Sequence, residues 1–392
     1  MAHALLAPSS AAVWSVCPGS VTMKQMMPAE AQDNAAAMEG TAAHWVAEQI
    51  LRDAVENEGV SAASFDHLLG NTDPAGTIIT KEMIEGAQLY GDFIDELGIE
   101  FVNYHIEQHV QIPSIHPECA GTPDFFGFNG TDLHIVDYKF GHGGVEAFEN
   151  KQLLCYYAGI MDETGVIGIG DQDITVHFHV VQPRSYSGDG PIKTWRVAAT
   201  DLRGLINQLS TAAHKAMGAT PLTASGNQCR YCPARHSCES SRQAAASAIE
   251  YQNEAVPTPL TDDALAYELP VLLNAIKALQ YRADALNDEA VARMGAGTPL
   301  FGLTMKQSYG HRSWTTDFDT IQNMGKMLNK DVDLAKAPAL VSPAEAEKRL
   351  MKAAGLTKKA ATEMLSGFAE KPARGMKVSI DTGAEARKVF SK

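Results

Sequence analysis

The chain has 392 residues, enough for two domains or for one large domain with an appendage. Its 45% hydrophobic and 20% charged residues match an ordinary soluble globular protein, and no apolar run is long enough to span a bilayer. The net charge of −15 argues against a passive nucleic-acid coat, but the balance is uneven: from residue 297 onward sixteen Lys+Arg outnumber ten Asp+Glu, so that end carries +6 and the rest −21.

An acidic body with a basic end suits an enzyme that gathers carboxylates around a metal and grips a polyanion elsewhere. It suits equally a protein whose acidity serves solubility alone. The opening stretch, MAHALLAPSSAAVWSVCPGS, lacks the basic start and unbroken apolar core of a secretory signal. A cytoplasmic location is therefore expected, the host cytoplasm if a phage encodes the chain. Thiols stay reduced there, and clustered cysteines suggest metal rather than disulfides.

In chain order, residues 38–55 space their apolar side chains as a helix, and residues 81–97 form a second, ended by Gly98. Strands are expected over 101–112, 121–129 and 132–140, the last two joined by the turn NGTD. A helix over 150–165 precedes a strand over 173–183 that carries His177 and His179 in alternation. A helix over 201–217 leads into the cysteine-rich GNQCRYCPARHSC, and the Pro/Thr-rich segment 253–263 marks a linker. Beyond it come a long amphipathic helix over about 264–294, a strand pair around FGLTMKQSYGHRSW, and a helix opening at SPAE, where Ser342 and Glu345 can form a capping box. The expected domains are thus 1–252, an α/β body, and 264–392, a mainly helical, basic domain.

Two short motifs carry chemistry. Asp124 ends GTPD as the chain enters a strand; Asp137 and Lys139, two apart in VDYK, share a face of the next strand. A hairpin brings Asp124 beside them. Two carboxylates and a lysine in one place make an oxygen-rich site for Mg²⁺ or Mn²⁺. Such an ion can activate water for phosphoryl displacement, and the ammonium can position that water or neutralise developing charge. D-x-K on a surface strand is common, but HIV precedes this one and marks its strand as buried, where charges need a reason. His44 on the first helix reads by itself as a packed helix histidine. Gln152 and Tyr156 are i and i+4 on one helical face and read by themselves as core.

Taken in order, a helical histidine, GTPD, DYK and Q-x-x-x-Y resemble the nuclease domain of the RecB family within the PD-(D/E)xK superfamily, over roughly residues 5–240. The resemblance implies a restriction-endonuclease-like α/β core, a mixed sheet flanked by helices. It implies metal ligation by His44, Asp124, Asp137 and the Tyr138 carbonyl, with Lys139 catalytic and Gln152 and Tyr156 behind it. PSSAAVWSVCPGSV and SPAEAEKRL also resemble phage-borne proteins with this core. The implied activity is a metal-dependent DNA exonuclease processing ends in phage recombination or replication. DNA is the implied partner, with a phage recombinase or single-strand-binding protein as further candidates. An endonuclease, or a non-catalytic DNA-binding or assembly module on the same fold, is the alternative.

Cys229, Cys232 and Cys238 are one ligand short of a tetrahedral site. Zinc could borrow His236 from within the cluster. Members of the resembled family instead hold an iron–sulfur cluster with one cysteine before the core and three after it. The resemblance thus implies Cys17 as the fourth ligand of a [4Fe–4S] group, with a structural role favoured over a redox one. Cys119 and Cys155 read as buried thiols. In the C-terminal part, Lys306, Tyr309, His311, Arg312 and Trp314 form a basic, aromatic stretch suited to DNA or to an ordinary surface hairpin.

Overall fold

The computed structural model describes residues 4–27, 35–57, 65–165, 173–185, 190–250, 261–309, 313–314, 318–328, 334–336, 339–340, 343–354, 356, 358–370 and 373–380. It is a mixed α/β structure whose contacts divide the chain into two units, Met1–Arg282 and Ala283–Lys392. That division falls inside a long helix. The expected linker, 253–263, lies outside the described residues up to position 260. Among the described residues no helix is long and apolar enough to cross a membrane.

The first unit opens with two short helices, α1 (Ala11–Trp14) and α2 (Ser20–Gln25), followed by α3 (Ala35–Glu56) and α4 (Lys81–Glu96). Thr80 caps α4 by accepting the Met83 N–H. Then come strands β1 (His105–Ile106), β2 (Val110–Gln111), β3 (Ala120–Gly121), β4 (Phe125–Asn129) and β5 (Asp132–Tyr138). Helix α5 (Lys151–Thr164), strands β6 (Thr175–Val181) and β7 (Ile192–Ala198), α6 (Ala199–Ala216), α7 (Glu239–Glu250) and α8 (Asp262–Gly295) complete the series.

Five strands form one sheet in the order β1-β4-β5-β6-β7, with β5 and β6 parallel and the other pairs antiparallel. Helices cover both faces. Leu133 and Ile135 of β5 pack with α5 and α6, while Val136 and Tyr138 pack with α3 and α4. Burial on both faces explains why β5 reads as a near-continuous apolar run. Asp137 is therefore buried at the end of a central strand, on the α5 side.

Three sequence expectations for the first unit need correction. The strand over 101–112 is broken into a helical turn at Phe101–Asn103, β1 and β2; β1 joins the main sheet, whereas β2 pairs with β3. The break is at Glu107, whose φ of 48° is incompatible with an extended strand. Residues 121–129 likewise divide, leaving Asp124 in the gap between β3 and β4. Strand β7 was not expected at all. It is an edge strand whose side chains are only half-buried or exposed, so its sequence lacks an apolar run.

In the second unit, strands β8 (Leu303–Tyr309) and β9 (Ser313–Trp314) precede α9 (Phe318–Leu328), β10 (Ala335–Lys336), β11 (Ala339–Leu340), α10 (Pro343–Ala354), α11 (Lys358–Leu365), β12 (Ala369–Glu370) and β13 (Ala373–Ile380). The expected pairing of the FGLTMKQSYGHRSW strands with each other is wrong: β8 pairs with β13, and β9 with β12. This unit thus combines helices with strand pairs. Ile321, Leu334, Ala346, Leu350 and Leu365 form its small core. Lys306 is exposed on β8, whereas His311, Arg312 and Ser342 lie outside the described residues.

Candidate active site and four-thiol pocket

The hairpin, α3 and α5 bring the first set of residues together. The Asp124 side chain turns back onto β5, where its Oδ2 accepts the Tyr138 N–H at 2.6 Å. Its Oδ1 lies 3.2 Å from Nδ1 of His44, which α3 presents beside the Tyr138 ring. From the other side of β5, Nζ of Lys139 donates to Oδ1 of Asp137 at 2.9 Å and to Oε1 of Gln152 at 3.2 Å. Gln152 in turn donates to the Tyr156 hydroxyl at 3.1 Å. The cap of α5 sets this direction: the Asn150 side chain accepts the N–H groups of Gln152 and Leu153. His44, Asp124, Asp137, Tyr138, Lys139, Gln152 and Tyr156 thus form one contiguous site.

Glu107 was missed. One ligand atom each from His44, Glu107 and Asp124 lies within 4.8 Å of the others. The Glu107 N–H bonds the Asp124 carbonyl, and the left-handed turn of its backbone aims the side chain inward. Only the broken strand could have revealed it, because FVNYHIEQHVQI reads as one alternating run.

Charge is tightly balanced here. Burial works against ionised Asp137 and raises its pKa, although Lys139 opposes the shift. Burial also disfavours the Lys139 ammonium, yet Asp137 and Asp124 outweigh it and hold that pKa above the ordinary lysine value. Asp124 is held below the usual carboxylate range: burial pushes it up, but His44, Lys139 and the Tyr138 N–H together prevail. Glu107 is pushed up to about 8, by burial first and by the Asp124 charge second.

A divalent cation fits this donor set. Asp124 and Asp137 face the Lys139 ammonium, His44 and Glu107 lie beside Asp124, and Oδ2 of Asp137 is buried without a directed hydrogen bond although it lies 2.9 Å from Nζ of Lys139 as an ion pair. The Asp124 charge, second to burial in raising Glu107, would be offset by such an ion.

The second set lines one pocket. Cys17, Cys229, Cys232 and Cys238 face it together with Val13, Met23 and Ala234. The N-terminal segment is pinned there by the Gly19 N–H to the Leu222 carbonyl at 2.8 Å and by the Ala224 N–H to Sγ of Cys17 at 3.3 Å. A Cβ on Gly19 would lie 2.7 Å from Cγ2 of Thr223 and 2.9 Å from the Pro221 carbonyl, so only glycine permits this approach. The Gly226 N–H donates to Sγ of Cys229. Burial first, and then the neighbouring thiols, raise the pKa of Cys17 and of Cys232.

His236 is not among the lining residues; its Nδ1 lies 3.2 Å from the Pro233 carbonyl. Cys119 and Cys155 are fully buried in the core, and Cys119 donates to the Leu6 carbonyl. A third cluster, His134, His177 and His179, is a hydrogen-bonded ladder: His134 lies 3.1 Å from His179, His179 2.8 Å from Thr194 and His177 2.8 Å from Asp132. Burial first, then the neighbouring imidazoles, lower His134 to about 4 and His179 to about 3, so both are neutral.

Fold and sites together define a mixed α/β protein with a carboxylate–lysine centre at the end of its central strand and a separate four-thiol pocket. The model of the family described as "Protein of unknown function (DUF2800)" matches residues 3–384, and the chain belongs to that family.

Proposed function

We propose that this protein is a metal-dependent deoxyribonuclease with a PD-(D/E)xK core of RecB type, an exonuclease that processes DNA ends in phage recombination or replication. One observation carries the reading: Lys139 is held between Asp137 and Gln152 while Asp124 is bonded to the backbone N–H between Asp137 and Lys139. A structural ion pair has no need of that arrangement, whereas it suits metal-assisted phosphodiester hydrolysis.

His44, Asp124, Asp137 and Glu107, with the Tyr138 carbonyl, would hold Mg²⁺ or Mn²⁺. When bound, that ion supplies a water of lowered pKa and positive charge for in-line displacement at phosphorus. Lys139 remains protonated beside two carboxylates, so its ammonium can orient the attacking water and neutralise charge that grows on the phosphate. Gln152 fixes the ammonium in place, and Tyr156 fixes Gln152. The Asp124–His44 contact keeps α3 against the hairpin.

Cys17, Cys229, Cys232 and Cys238 would hold a [4Fe–4S] cluster that staples the N-terminal segment to the chain after α6. Two trios of ligand atoms fall within 4.8 Å of one another among the described residues, and the four thiols form no such trio. Tetrahedral zinc with bonds of about 2.3 Å would draw sulfurs closer than that, whereas a polynuclear cluster spreads them.

The test is hydrolysis by purified protein with Mn²⁺ or Mg²⁺ on linear and circular, single- and double-stranded DNA. An exonuclease degrades the linear forms only. Cleavage of closed circles would make it an endonuclease, and no hydrolysis with either ion would sink the reading.

A further inference from the structure

Helix α8 carries a second apolar face. Leu265, Leu269, Leu272, Ile276 and Leu279 follow at spacings of four, three, four and three, and Ala283 and Leu286 continue the row. In heptad terms Leu265, Leu272, Leu279 and Leu286 occupy d positions, with Leu269, Ile276 and Ala283 at a. A row averaging 3.5 residues stays in contact only when two helices wrap around each other, unlike the 3.6 period of a stripe facing a core. The stripe that α8 turns toward its own chain is a different one, with Val271, Ala275 and Ala278 half-buried and Ala285 buried. The five leucines and one isoleucine of the seam are each 36–61% exposed. Soluble monomers rarely leave so long an apolar row in water.

We infer that this face is the seam of an antiparallel two-stranded coiled coil formed with a second copy of the chain. The side chains that fit between such knobs are those of another such row, and this helix supplies it. Charge sets the direction. Residues 262–269 contain Asp262, Asp263 and Glu268 and no base, while 277–282 contain Lys277 and Arg282 and no acid. Parallel pairing sets acid beside acid. Antiparallel pairing centred on residue 274 sets Leu269 against Leu279 of the second copy, Leu272 against its Ile276 and Leu265 against its Ala283. It also brings Glu268 beside the second copy's Arg282. Arg282 is already fixed at the edge of the seam, since its Nη1 donates to the Arg235 and His236 carbonyls. Pro270 occupies a b position, so the hydrogen bond it removes costs the seam no side chain.

Sedimentation equilibrium of the full-length protein tests this. The wild type is expected at the mass of two chains at micromolar concentration. Leu272→Glu with Ile276→Glu is expected at the mass of one chain, with unchanged far-UV circular dichroism. If those glutamates unfold the protein, the milder Leu272→Ala, Ile276→Ala pair should raise the dissociation constant about 30-fold or more. Glu268→Lys should weaken the dimer several-fold in the antiparallel arrangement, and tightening would overturn that direction. A wild type at the mass of one chain up to about 100 μM, far weaker than ordinary specific association, overturns the proposal. So does a dimer indifferent to the seam substitutions, whose occupant would then be a different surface.

Discussion

Asp124 and Tyr138 are joined by a 2.6 Å hydrogen bond from the Tyr138 N–H to the carboxylate, fourteen residues back along the chain. The bond anchors a loop side chain to the strand end from which Asp137 and Lys139 project, and so fixes the spacing of both carboxylates. Asp124→Asn keeps an oxygen that can accept the same N–H, and the fold should survive. Its charge is gone, so cation affinity and hydrolysis should both fall, the rate by about 10² or more. Isothermal titration with Mn²⁺ alongside a nuclease assay checks both.

Lys139 differs, because the ammonium is not a ligand. Lys139→Ala should abolish cleavage while Mn²⁺ still binds; Asp137→Ala should lose both. Without Lys139, the Asp137 carboxylate loses its bonded counter-charge and keeps only the weaker influence of His44, in a site where its side chain is 1% exposed. The metal-free variant should therefore lose about 3 kcal/mol of stability unless that carboxyl protonates, and added cation should restore much of it. Full activity in Lys139→Ala would remove this lysine from the mechanism.

Much of this site could be read from the sequence because its parts are local. Asp137 and Lys139 share a strand face by period two, Gln152 and Tyr156 a helix face by period 3.6, and Gly130 makes the hairpin turn with φ of 62°. What escaped depends on long-range packing. Glu107 reaches the site only because the chain abandons the extended conformation at that residue. Strand β7 pairs along one edge and carries no apolar run to announce it. Pairing of β8 with β13, more than sixty residues apart, is decided by register between distant segments.

The same cluster predicts a pH dependence. Burial disfavours charge on His44, but Asp124 more than compensates and raises its pKa above the ordinary 6.5. Glu107 titrates at about 8. Both therefore hold protons in the folded, cation-free protein that the unfolded chain releases at lower pH. The stabilising contribution of charged His44 is complete below 6.5 and is lost as pH rises through its folded value. Neutral Glu107 acts with the same sign between 4.5 and about 8, so stability without cation should decline with pH across that window. A bound cation must displace these protons. Mn²⁺ affinity should climb with pH and level off above about 8, with proton release visible as a dependence of binding enthalpy on buffer. Glu107→Gln should flatten both trends.

Cys17 tests the thiol pocket, because its sequence position makes it the least obvious member. More than 200 residues separate it from Cys229, yet both face one pocket. A shared cluster would close that long loop, and by analogy with a disulfide the constraint contributes about 4–5 kcal/mol before strain is subtracted. That is a large part of the stability a domain possesses. Protein purified without oxygen should be brown and carry about four irons per chain. Cys17→Ser should lose the colour and become protease-sensitive between the N-terminal helices and α6. Cys119→Ser, which alters only a buried thiol bonded to the Leu6 carbonyl, should keep it. A colourless native protein with one stoichiometric zinc would overturn the cluster, and iron retained in Cys17→Ser would move the fourth ligand elsewhere.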